Sequence, residues 1–309
     1  MKKRAVIIGV SIAVVIAIVL LFVFLVVPGR RAINKIAVIS LSGTITIGDS
    51  SLFTGSTITP EQVRDYLTKA EKDKAVKAII FRIESPGGEI APCQEILWEI
   101  EGVKEKKNIV VSMGGTAASG GYYISTQADK IVALPTTMTG SIGVISQITN
   151  IEGLLDKLGI KIETYKGGKY KDMYRGFREM TQEERDIMQE MVDEYYKQFV
   201  EIVAEGRGLS EEYVRNLATG QIYTGTEAKE LGLVDELGDM DTAINLTAEV
   251  AGIEDPIVEY YEEPGITLRS FIGLVNAIRT RISGLSAEDM ILLEIMNHNY
   301  KQPLFLYQS

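Results

Sequence analysis

Lys77-Ala78-Ile79-Ile80-Phe81-Arg82-Ile83, followed at once by Glu84-Ser85-Pro86-Gly87-Gly88, is the stretch that decides the fold. Its apolar, β-rich core is too short for a surface helix and reads as a strand buried on both faces. The proline and two glycines break it. A helix from about Glu89 to Lys104 follows, and Asn108–Met113 is a second strand of the same kind. Outward from here the alternation continues. Lys35–Leu41 is a β-rich run closed by Ser42-Gly43. Thr59-Pro60 opens a helix, with Thr59 as cap, Pro60 in the first turn and Gln62 completing a capping box. Val63, Tyr66, Leu67 and Ala70 keep helical spacing. Lys130–Leu134 and Gly143–Ile148 are short apolar runs, Ile151–Leu158 reads as helix and Ile160–Tyr165 as strand. Thr181–Glu205 reads as the longest helix of the body, with a Thr181…Glu184 capping box. Hairpin signals are few, so the class is α/β with largely parallel sheets. Past about Asp255 the pattern loosens. Thr267–Leu285 is amphipathic, with Phe271, Leu274, Val275, Ile278 and Ile282 on one face.

Composition removes several chemistries. With 309 residues, 46% of them hydrophobic, the chain holds enough apolar surface for a large core. Cys93 is the only cysteine, which excludes an internal disulfide and a cysteine-based zinc site. His298 is the only histidine, so a multi-histidine metal site is impossible and an imidazole base would have to come from near the C-terminus. The five basic side chains at 1–31 stand without an acid, which leaves 27 basic against 42 acidic residues in the rest. A body that acidic repels a phosphate backbone, so no nucleic-acid partner is expected.

Ala5–Val27 runs 23 residues without a charge. At 1.5 Å per residue it spans about 34 Å, enough to cross a hydrocarbon core, and it is longer than the apolar part of a cleaved signal peptide. It ends Val26-Val27-Pro28-Gly29-Arg30-Arg31 without a small-x-small cleavage site. The reading is an uncleaved transmembrane signal anchor in contact with lipid through residues 5–27. Lys2, Lys3 and Arg4 favour a cytoplasmic N-terminus and an extracytoplasmic body; Arg30, Arg31 and Lys35 pull the other way.

Three glycine-rich turns carry the candidate chemistry. Ser85-Pro86-Gly87-Gly88 lies between strand and helix, where free backbone amides favour an anion; alone it is also a plain connecting turn. Gly114–Tyr123 (GGTAASGGYY) follows a strand and surrounds Ser119 with residues that have almost no side chain. A nucleophile at a strand-to-helix turn has such surroundings, and so does close helix packing. Thr139-Gly140-Ser141-Ile142-Gly143 is a tight turn with a hydroxyl at its centre. A nucleophilic serine needs a base. Without imidazole, a lysine depressed by about 3 units through burial would serve. Lys166, Lys169 and Lys171 share one glycine-containing loop, and position alone does not choose among them.

SPGG at Ser85–Gly88, ASGGYY at Ala118–Tyr123, TGSIGV at Thr139–Val144, KYKD at Lys169–Asp172 and GQIYTGTEAKELGLVD at Gly220–Asp235 occur in this order. Together they resemble the short form of the signal peptide peptidase A family, membrane-anchored Ser/Lys proteases of the ClpP/crotonase superfamily, peptidase family S49. The resemblance implies a fold of repeated ββα units. It implies Ser119 as nucleophile, Lys171 as general base with Lys169 as competitor, and Ser141 as the serine that orients the lysine. Gly87, Gly88 and Gly120 would supply the oxyanion hole. It implies no metal and no cofactor. The substrates would be remnant signal peptides, and the partner would be further copies of the chain in a ring-shaped homo-oligomer, an octamer, with nucleophile and base drawn from neighbouring subunits. The chain then divides into a stub and anchor at 1–31, a protease domain at 32–254 and an amphipathic segment and tail at 255–309.

Other readings stay open at this level. They are a sibling protease with stomatin-like substrates, a crotonase-type acyl-CoA enzyme, and a non-catalytic membrane scaffold. The tail Pro303–Ser309 (PLFLYQS) is apolar and starts with a residue that favours extended chain before it, so it resembles a peptide substrate able to reach the groove. A membrane-contacting end is the alternative.

Overall fold

The computed structural model describes residues 34–48 and 56–261, together with a strand at 304–306. The expected anchor at 5–27, the amphipathic 267–285 segment and His298 lie outside them. Among the described residues no helix is long and apolar enough to cross a membrane.

The described chain opens with β1 (Lys35–Ser42) and the short strands β2 (Thr44–Ile45) and β3 (Thr57–Ile58). Helix α1 (Pro60–Lys72) starts as expected, with the Thr59 hydroxyl accepting from the Gln62 amide at 3.2 Å. The deciding run forms β4 (Val76–Ser85), and β5 (Gly87–Glu89), α2 (Ile90–Lys104) and β6 (Asn108–Ala118) follow. Next come α3 (Gly120–Ser125), β7 (Lys130–Ala133), β8 (Met138–Gly140) and α4 (Glu152–Lys157). The capping box of Thr181 and Glu184 opens α5 (Gln182–Arg207). The remainder is α6 (Glu211–Leu217), β9 (Ile222–Thr224), α7 (Gly225–Glu230), β10 (Glu236–Leu237), α8 (Met240–Ala251), β11 (Ile257–Tyr261) and β12 (Leu304–Leu306).

The main sheet runs β10-β7-β6-β4-β1-β11, parallel throughout, with β8 continuing beside the end of β6 and β9 antiparallel to β8. The class is α/β with mostly parallel pairing, as the alternation requires. Both faces are covered, which is why Ala78–Phe81 at the centre of β4 is apolar without a break. Ala37, Ile39, Ile79, Phe81 and Ile83 point to the larger core with α2, α3 and α5. Ile36, Val38, Ile80 and Val110 point the other way, onto Ala243 of α8. The period of two divides each strand between the two layers. β11 lies beyond residue 254, and its β-rich Ile257-Val258-Glu259-Tyr260-Tyr261 joins the sheet by pairing with β1.

Two expectations fail here. Ile160–Tyr165 is irregular and exposed. Its alternating pattern suits a strand, but no strand lies alongside to take its backbone hydrogen bonds. The apolar run Gly143–Ile148 is irregular apart from a single bridging residue at Ile145. In the other direction, β6 outruns its expected end at Met113 by five residues, to Ala118, and so delivers Ser119 to the end of the sheet.

Candidate active site

The site begins with a bulge. Ile83 pairs with Met113, but two residues on Ser85 pairs with Ala117, so Glu84 alone faces Gly114, Gly115 and Thr116. Its carboxylate fills the gap by accepting from the Gly115 amide at 2.6 Å and the Thr116 amide at 2.8 Å. A Cβ on Gly114 would sit 2.0 Å from Glu84 Oε2, so a side chain here would push the carboxylate out of the bulge. Bulges of this kind re-aim a strand beside a functional site.

Ser119 follows directly. Its backbone has φ 52° and ψ −117°, the left-handed region that an L-residue enters at a cost of about 1–3 kcal/mol. Two hydrogen bonds hold it there, from its own amide to Gly140 O at 2.8 Å and to its carbonyl from the Tyr123 amide at 2.8 Å. The residue is 1% exposed, and its Oγ has no hydrogen-bond partner among the described residues. Buried hydroxyls are nearly always paired. A strained serine at a strand-to-helix turn with a free hydroxyl has the build of a nucleophile elbow.

The expected partners converge on it unequally. Ala118 and Gly140 are register partners on adjacent parallel strands, so Ser141 leaves β8 at the level where Ser119 leaves β6. Ser141 is also left-handed, at φ 50°, and donates its amide to Gln221 O. Gly120 is packed against the first glycine turn. A Cβ there would meet Cys93 Sγ at 2.6 Å, Gly87 Cα at 3.1 Å and the Gly88 nitrogen at 3.1 Å. The three oxyanion candidates therefore share one place beside Ser119. The Gly87 amide donates to Ser85 Oγ at 3.2 Å, which fixes the turn. Burial pushes the Cys93 thiol well above its ordinary range, so the neighbouring sulfur is an inert packing atom.

On the outer edge of β5, β12 runs antiparallel, with Phe305 opposite Gly88 and Leu306 opposite Gly87. The chain's own tail thus occupies the strand position beside the candidate oxyanion turn.

Lys171 lies elsewhere. It is exposed, in the irregular segment between α4 and α5, and lines a cleft of about 410 Å³ with Ile162, Tyr165, Lys166, Asp172 and Phe177. Within the chain Lys171 is not bonded to Ser119. The three loop lysines nevertheless differ. Lys166 Nζ bonds Asp172 at 2.5 Å, and Lys169 bonds Glu183, which raises its pKa and makes it a poor base. Lys171 Nζ makes no hydrogen bond or ion pair among the described residues.

Two residues passed unnoticed in the sequence, Glu84 and Arg178. Glu84 precedes a recognisable motif, but only the bulge gives its carboxylate a task. Arg178 contacts residues six positions away on either side, a spacing that matches no regular element.

A parallel α/β sheet and a buried serine at a strained elbow, packed beside a glycine turn, fit one class, a serine protease. The chain belongs to peptidase family S49, whose model matches residues 101–254 and so spans Ser119, Ser141 and Lys171. It is 38% identical over 278 residues to an inferred protease of Synechocystis sp., covering 89% of this chain and 96% of the relative. It is 39% identical over 243 residues to an inferred signal peptide peptidase SppA of Enterococcus faecium, covering 78% and 71%. A solved membrane-bound stomatin-specific protease aligns with a TM-score of 0.49 at 18% identity, over 75% of this chain and 99% of that one.

Proposed function

We propose that the chain is a membrane-anchored endopeptidase of the ClpP/crotonase fold that uses a Ser119/Lys171 dyad to degrade remnant signal peptides. The observation that carries it is the buried Ser119 hydroxyl, strained at the elbow and without a partner among the described residues. Lys171 of a neighbouring copy takes the Ser119 proton, with Ser141 orienting the ammonium. Ser119 Oγ attacks the peptide carbonyl, and the oxyanion forms among the Gly87, Gly88 and Gly120 backbones. The protonated lysine donates to the leaving amine, and water then releases the acyl-enzyme.

Assembly into a ring follows from this division of labour. The segment around Lys171 leaves Leu154, Leu158, Ile160, Ile162 and Tyr165 exposed, which a second copy would cover. Apolar peptide substrates suit the site because β12 illustrates how an extended chain adds to β5. The similarity to the Enterococcus relative named for signal peptides supports that substrate class. The apolar run at 5–27 would hold the domain at the cytoplasmic membrane, on its outer side, where such peptides lie.

The test is labelling by a serine-directed fluorophosphonate. Ser119 is expected to be the modified residue, and Ser119→Ala to lose both label and cleavage of signal peptides. Labelling that persists in Ser119→Ala would contradict the assignment.

A further inference from the structure

The segment that carries Lys171 has little core to hold it. Residues 153–171 include none that is buried, and Met173 is the first that is. What it has instead is one arginine. Arg178 uses all five of its N–H groups. Nε and Nη2 bond Asp172 at 3.0 and 2.8 Å. Nη1 and Nη2 bond Glu184 at 2.8 and 2.6 Å, and Nη1 also reaches Glu179 O at 2.9 Å. Two bidentate carboxylates on one guanidinium make a rigid junction. Glu184 is 2% exposed and also accepts from the Thr181 amide, so the junction is fastened to the capping box of α5.

Asp172 is the residue next to Lys171, and both line the same cleft. A carboxylate there is the natural counter-ion for the Lys171 ammonium. In the structure both its oxygens are taken, by Arg178 and by Lys166. The remaining charged or titratable groups of the cleft are Glu163, Tyr165 and Arg175.

We infer that Arg178 is a positioning residue which keeps Asp172 away from Lys171 and so leaves the catalytic lysine able to lose its proton. The inference rests on Lys171 being the base. Arg178 does two things at once. It ties the lysine's loop to the N-terminus of α5, and it neutralises the carboxylate next in sequence to Lys171, which would otherwise pair with the neighbouring ammonium. A freed Asp172 would hold Lys171 protonated to higher pH, as an opposite charge within 4–6 Å shifts a lysine by about one unit or more.

The test is the pH dependence of kcat for peptide cleavage by the full-length oligomer. Arg178→Met is expected to move the ascending limb upward by about one unit or more, and to lower kcat about tenfold on the limb. Arg178→Lys, which keeps the charge but cannot fork onto two carboxylates, moves the limb the same way by less; it carries the test should the methionine variant not fold. Adding Asp172→Asn to either variant is expected to return the limb toward its native position. A purely structural arginine would lower the melting temperature and leave the limb in place. An unmoved limb, or a limb that Asp172→Asn does not restore, overturns the inference. Lys171→Ala separates the two levels. If it stays active, the base assignment is wrong. If it is inactive while the Arg178 limb stays put, only the role given to Arg178 falls.

Discussion

The elbow at Ser119 and the loop at Lys171 are held by opposite means. Ser119 is buried beside the larger core, with its backbone fixed by neighbouring strands, closely packed glycines and the Glu84-filled bulge. Lys171 sits in an exposed segment ordered by ion pairs around Arg178. A nucleophile must be rigid to within a fraction of an ångström, and close packing supplies that. A base supplied to another copy must instead be displayed on the surface. Charge networks can order such a segment without burying it, and they leave its apolar side chains for a partner.

The comparison breaks most sharply at the two proposed reacting groups. Ser119→Ala and Lys171→Ala are each expected to lower kcat about 10⁴-fold or more, measured with a quenched peptide, while oligomer size by light scattering is unchanged. Lys169→Ala should stay within about tenfold of native, since that lysine is committed to Glu183. Loss in Lys169→Ala with activity in Lys171→Ala would exchange their roles. Next in size is Gly120→Ala. Its new Cβ would press on Cys93 Sγ and on Gly87, and a displacement of about 1 Å at the elbow costs about 10² in kcat/KM. Adding Cys93→Ala should recover part of this; full activity in Gly120→Ala alone would show that the elbow is less tightly packed than described.

Deleting residues 297–309 should raise kcat/KM on short peptides several-fold, since β12 occupies the β5 edge that a substrate strand would use. Unchanged kinetics would mean that the tail does not compete. The smallest effect is on acid stability. Arg178 depresses the Asp172 carboxyl strongly and holds Glu184 at about 2. A depressed carboxyl stabilises the fold above its ordinary value, near 4, and that contribution is lost as pH falls toward 2. Urea midpoints between pH 5 and pH 2 should therefore fall less steeply in Arg178→Met than in the native protein. Parallel slopes would show that the network adds nothing to stability.

Much of this was legible in the sequence. The strand at 77–83, the caps at Thr59 and Thr181, and the serine among small residues are local signals, and each stands where its pattern placed it. The failures are long-range. Ile160–Tyr165 has the alternation of a strand without a neighbour to pair with. β11, five residues long and set apart from the other strands in sequence, is placed by its neighbour β1. Four of the five residues that extend β6 are glycine or alanine, weak strand formers held in place by β8 and by Glu84. Arg178 could not be found by periodicity, because its partners are joined through irregular backbone.

The central claim is that one chain holds the nucleophile and another supplies the base. Mixing the inactive Ser119→Ala and Lys171→Ala proteins, with dissociation and reassembly, tests it directly. Random assembly would pair an intact serine with an intact neighbouring lysine at about a quarter of the sites, so about a quarter of native activity should return. A mixture as inactive as either parent, despite proven exchange of subunits, would contradict the claim and place the dyad within a single chain.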